Sequence, residues 1–188
     1  MFVITTPTRI GLALLAVSVL SACGGGSRAT TSTSGTYTPT ATAGACPIGD
    51  WALTGDPLLA FIRGQSDTTS NTYLNADGNV TLRLDNQHAF TLTFNGTRAN
   101  FTAAGTPHAT TIGGAIEGTY TTKASNITLT PTTATLFAAT DGAPIIGPAL
   151  KTLNDRYTAE IDGSWAYACS VNSLSLTNST TSLTFESA

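Results

Sequence analysis

Charge is what this chain has least of: Asp, Glu, Lys and Arg together make up 10% of its 188 residues. Solubility therefore has to come from hydroxyls and amides, and threonine and serine are abundant throughout. From Ala45 onward the bases are Arg63, Arg83, Arg98, Lys123, Lys151 and Arg156, scattered against all 11 acidic residues. No basic patch exists to collect phosphates, which excludes nucleic acid as an expected partner. Histidine is scarce as well. His88 and His108 are the two, and with three cysteines they offer no spacing for a four-ligand zinc site, so neither a metal nor another cofactor is expected.

The motifs of catalysis are missing too. Gly64-Gln65-Ser66-Asp67 lacks the second glycine of a nucleophile elbow, and neither histidine stands in a motif that would activate a hydroxyl. The stretch Tyr73 to Asn79 matches a calcium loop only in part, with Tyr73 at its first position and Leu84 where the closing glutamate belongs; it reads as a hairpin turn. Asp50, Asp56, Glu117, Glu160 and Asp162 are too far apart in sequence for a paired-carboxylate claim. No catalytic residue is expected, and the protein reads as noncatalytic. Long apolar runs are also absent. The best is Ile10 to Leu20, 11 residues after Arg9, where a bilayer span needs about 20. It has the form of a removable signal segment.

That run closes on Leu20-Ser21-Ala22-Cys23, followed by Gly24, Gly25 and Gly26, which resembles the lipobox of bacterial lipoproteins. The resemblance implies that residues 1–22 are a lipoprotein signal peptide. Cys23 then becomes the mature N-terminus, with diacylglycerol on its thiol and a fatty acyl group such as palmitate on its amine. Two or three chains make a durable membrane anchor where one does not. The alternative is an ordinary secretory cut near Ala22 that leaves Cys23 as a free thiol. The implied location is the cell envelope. Gly24 in place of an inner-membrane-retaining aspartate favours an outer membrane, where the cell has one. Residues 23–44, rich in Gly, Ser and Thr, read as a flexible linker with a reach of roughly 25 Å. If Cys23 carries lipid, Cys46 and Cys169 remain, one near each end of an exported domain, and are expected to form a disulfide worth about 4 to 5 kcal/mol by chain entropy. Two buried thiols are the alternative.

Residues 45–188 read as one all-β domain. Val80, Leu82 and Leu84 alternate with Thr81 and Arg83, and Phe90, Leu92 and Phe94 with Thr91 and Thr93, the period of a half-buried strand. Asp77-Gly78 and Asn95-Gly96 read as tight hairpins between short strands. Two related stretches follow, each a glycine and an aromatic, then two alternating segments: Gly118-Thr119-Tyr120 to Phe137, and Gly163-Ser164-Trp165 to Phe185. Asp56 as a cap, Pro57 and Gly64 bracket one short helix, and the spacing of Leu150, Leu153 and Tyr157 suggests another between Gly147 and Tyr157. Nine or ten short strands and two helices predict an antiparallel up-and-down barrel or barrel-like roll.

Gly49-Asp50-Trp51 and the later strands ending Ile127-Thr128-Leu129-Thr130 and Leu174-Ser175-Leu176-Thr177 look like bacterial lipocalin-like domains. The resemblance implies that Trp51 packs across a closed barrel end beneath an arginine of the last strand, although no arginine follows Arg156 here. The second half also resembles the META domain of envelope and stress-related proteins, without the Cys-Asn pair that family carries. It offers an alternative, an envelope stress or protein-interaction domain acting through its surface. On the lipocalin-like reading the candidate lining of a small apolar ligand site is Trp51, Tyr73, Phe90 and Phe94, with Phe101, Tyr120 and Trp165. Core packing is the ordinary role of such residues.

Overall fold

The computed structural model describes residues 48–65 and 70–188. Wherever apolar residues alternate with Thr, Ser or Asn, the backbone is extended, because the two-residue period puts one set of side chains in the core and the other in water. The elements in order are β1 (Gly49–Leu53), α1 (Gly55–Gly64), β2 (Asn71–Leu84), β3 (Ala89–Ala103), β4 (Thr106–Lys123), β5 (Asn126–Ala134), β6 (Phe137–Thr140), β7 (Ala143–Pro144), α2 (Gly147–Ile161), β8 (Gly163–Cys169), β9 (Ser173–Thr177) and β10 (Ser182–Ser187).

Strands β1, β2, β3, β4, β5, β8, β9 and β10 pair in that order, and β10 returns to β1 with Trp51 opposite Ser187. The result is a closed, eight-stranded, antiparallel up-and-down barrel, the lipocalin-like architecture expected from the pattern. Within the ring, closure removes the sheet edges that a weakly charged, threonine-rich chain would otherwise expose to other chains. The β6–β7 hairpin hangs off the first half of β4, with Ile112 opposite Ala138.

Inside the ring, Val80, Leu82, Phe90, Leu92, Ile116, Leu129, Trp165 and Leu174 are at most 1% exposed. Each such side chain contributes about 1.5 to 3 kcal/mol of apolar burial, so the filled interior is the main source of stability. One end of the barrel is closed by turns. Asp85 Oδ1 accepts the amides of Gln87 at 2.9 Å and Ala89 at 2.8 Å, while the Tyr120 hydroxyl donates to the Asp85 carbonyl at 2.6 Å. Trp51 is 3% exposed in this core, and its indole Nε1 has no hydrogen-bond partner among the described residues.

Three local expectations are corrected. Asp77-Gly78 and Asn95-Gly96 are not hairpins: β2 and β3 run straight through them as strands of 14 and 15 residues. The β2–β3 register shifts between Asp77 and Asn79, and the β3–β4 register between Phe94 and Thr97. Both glycines have positive φ, 89° and 59°, the conformation that a bulge and a tight turn each demand, so the dipeptide alone does not separate the two. Asp56 lies in the first turn of α1 and does not cap it. Thr54 is the N-cap, without a side-chain bond. The second helix continues to Ile161, a turn beyond the expected Tyr157.

At the end opposite the turns, both helices lie across the barrel. Phe61 of α1 meets Phe94 of β3 at 6.3 Å between ring centroids and Tyr157 of α2 edge-on at 5.6 Å. These three rings plug the barrel. Beyond them the first half of β2, the second half of β3 and the first half of β4 continue as a sheet that stands over the helices.

Candidate functional site

Between that extended sheet and the two helices lies a cavity of about 410 Å³, within the range of small-molecule sites. Its sheet wall is Tyr73, Ala99, Phe101 and Ile112, and Ile62 of α1 with Ala149 and Leu153 of α2 face it. Ala149, Thr152, Leu153, Arg156 and Tyr157 recur at three- and four-residue steps, so one stripe of α2 lines the cavity.

The position of α2 is set by three attachments. Asn154 holds the Leu136 backbone from both sides, its Oδ1 accepting the amide at 3.0 Å and its Nδ2 donating to the carbonyl at 3.2 Å. Trp165 Nε1 donates to the Ile161 carbonyl at 3.1 Å, and the Thr181 hydroxyl donates to Glu160 Oε1 at 2.6 Å. The end of α1 is tied to the sheet by Arg63 Nη2, which donates to the Tyr73 carbonyl at 2.6 Å.

The sheet wall is stiffened by partners on its own face. Phe101 stacks on Tyr73 at 5.1 Å and on His108 at 5.5 Å, and His108 Nδ1 lies 2.6 Å from Asp141 Oδ2 in the β6–β7 turn. The His108 hydrogen bond, then the Ala109 amide at 2.9 Å, hold the Asp141 carboxyl below the usual aspartate range. Thr110 and Thr140 exchange a hydrogen bond at 2.8 Å beside this pair.

Eight of the fifteen lining residues carry a polar side-chain group, and Gln65 and Arg156 stand out among them. Gln65 is 8% exposed, and its Nε2 has no hydrogen-bond partner among the described residues. Arg156 Nη1 makes one long contact, 3.4 Å, to the Gln65 carbonyl, and no carboxylate pairs with it among the described residues. Burial, followed by the neighbouring Tyr73, pushes the Tyr157 phenol far above its ordinary range, so it stays protonated. None of the lining residues is Asp or Glu.

Of the aromatics expected to line a ligand site, Tyr73 and Phe101 do line this cavity. Trp51, Phe90, Phe94, Tyr120 and Trp165 are packed in the barrel core. Gln65, Arg156 and Tyr157 also line it and were not among the candidates. The spacing of Leu153 and Tyr157 carried the one sequence signal for that helix face. His88 stands at the turn end with its ring edge-on to Tyr120, 5.4 Å away, and His108 stands in the sheet wall, so the two histidines serve opposite ends of the barrel. Among the described residues no group of His, Cys, Asp and Glu is arranged to hold a metal ion, and no helix is long and apolar enough to cross a membrane. The expected signal peptide, Cys23, the linker and Cys46 lie outside the described residues. Cys169 ends β8, half-buried and partnered. No protein-family model matches the chain, and no curated protein matches it by sequence.

Proposed function

We propose that this is a lipid-anchored cell-envelope protein, held through Cys23, whose noncatalytic barrel takes up a small, mostly apolar molecule. The observation that carries this reading is the cavity at the helix end, where an apolar face of Ile62, Ala99, Phe101, Ile112, Ile145 and Leu153 meets polar groups in a site-sized volume of about 410 Å³. The ring itself is filled, so the ligand would sit between the helices and the sheet extension and not in the barrel's centre. A Cys46–Cys169 disulfide fits the topology. Ser187 pairs with Trp51 near the start of β1 and donates to the Asn172 carbonyl in the turn after β8, which puts Cys169 at the same rim as the start of β1, and β1 begins three residues after Cys46 in sequence. The filled ring also favours a second reading, a structural or META-like surface module with no ligand.

Titration with a fluorescent apolar probe such as N-phenyl-1-naphthylamine separates the two. Saturable binding of one probe per chain is expected. Ala149→Trp is expected to weaken it at least tenfold, because Ala149 is exposed on the helix yet lines the cavity, and an indole there fills the space without repacking the core. Probe that never saturates would leave only the surface module. For the anchor and the bridge, intact-mass analysis of protein extracted from the envelope should give a chain beginning at acylated Cys23, two hydrogens lighter than its reduced form. An unacylated N-terminus at Cys23 would refute the anchor.

A further inference from the structure

We infer that the molecule held in this cavity is an amphiphile whose polar end is a carboxylate, received by Gln65 Nε2 and the Arg156 guanidinium while its apolar chain lies between Leu153 and the Tyr73–Phe101 wall. The inference rests on the cavity being a ligand site and specifies the chemistry of its occupant.

A buried amide donor left without an acceptor is a standing cost to the folded protein, and native structures leave few such groups. Gln65 is more than nine-tenths buried with its Nε2 in that state, and it lines the cavity. An acceptor on the ligand removes the cost on binding. Beside it, among the described residues, Arg156 makes only the 3.4 Å contact to the Gln65 carbonyl, so most of its five N–H donors are open to a planar oxyanion, for which a guanidinium is shaped. The lining carries one cation and no carboxylate, and the Tyr157 hydroxyl beside it remains a neutral phenol. An ammonium head would find no counter-charge in the lining, and a hydroxyl head would forgo the charge-assisted bond that a carboxylate makes with the guanidinium. Threonines and Asn71 share the rest of the lining with a continuous apolar face of Ile62, Ala99, Phe101, Ile112, Ile145 and Leu153, and that face calls for a chain or ring system behind the carboxylate.

The test is calorimetric titration of the full-length protein with decanoate, decanol and decylamine, each below its aggregation limit. Decanoate is expected to bind at least tenfold more tightly than either of the others, the scale of one charge-assisted hydrogen bond. Arg156→Met should bring decanoate affinity down about tenfold and narrow the decanoate-to-decanol ratio toward one. Gln65→Met should also narrow that ratio while leaving the unliganded protein at least as resistant to heat as the parent, since it removes a donor that has no partner there. A Gln65 that served only to hold the fold would lose heat resistance instead. Decanol or decylamine binding as tightly as decanoate, or an unchanged ratio in both variants, would overturn the carboxylate inference while leaving the cavity as an apolar site. If none of the three saturates, the ligand reading itself fails along with it.

Discussion

Gly118→Val is expected to cost at least about 3 kcal/mol and to lower the melting temperature by roughly 6 to 12 °C, if the variant folds at all. Gly118 sits in β4 at the register shift beside Glu117, opposite Pro131 on β5 and Phe90 on β3. A Cβ there would overlap the Thr130 carbonyl oxygen and lie 2.6 Å from Phe90 Cε1 and 2.8 Å from Pro131 Cα. Two of those obstacles are backbone, and both neighbouring strands are hydrogen-bonded into the closed ring, so neither can retreat alone. Gly49→Ala is the matched control. Its Cβ would meet nothing within 4 Å, and a change within about 0.5 kcal/mol is expected. Thermal and urea unfolding of both variants measures the contrast, and a Gly118→Val protein as stable as the parent would mean that β4 and β5 do not meet in this register.

The second large effect is expected from Phe61→Ala, with a loss of about 3 to 5 kcal/mol. Phe61 is 1% exposed, and its ring joins all three parts of the helix end, stacking with Phe94 of the sheet and meeting Tyr157 of α2 edge-on. Alanine leaves a void bounded by a strand that cannot collapse inward and a helix held separately at Asn154, Glu160 and Ile161. Relaxation is therefore poor, and the loss should fall in the upper half of the range. The check is the urea midpoint at unchanged denaturant slope, which separates lost stability from a change in the unfolded chain. A shift worth less than about 1 kcal/mol would show that the aromatic plug is not a structural element.

The strands of residues 45–188 were legible because a two-residue alternation of Val, Leu and Phe with Thr has one way to satisfy both faces of a sheet. The helices were half-legible. Pro57 marks the start of α1, yet Asp56 proved to be a first-turn residue. Nothing local foretold that α2 would run on to Ile161, because its final turn is fixed by Trp165 of β8 and Thr181 of the turn before β10. The Gly78 and Gly96 positions were identified as needing positive φ but assigned to turns. Their bulges depend on each other: a Cβ on Gly78 would come within 2.6 Å of the Gly96 carbonyl oxygen, a contact that exists only once β2 and β3 are paired.

By itself, the amino-acid order determined an all-strand domain with hydroxyl-rich outer faces, and it withheld the motifs of metal, nucleic-acid and nucleophile chemistry, because periodicity and side-chain inventory are local properties. The tertiary structure alone decided that the ring closes by pairing β10 with β1, that five of the seven candidate aromatics are spent on filling it, and that Gln65 and Arg156, 91 residues apart in sequence, share one cavity. Which side chains meet across such distances is set by the closure and register of the whole barrel, and no single segment encodes either.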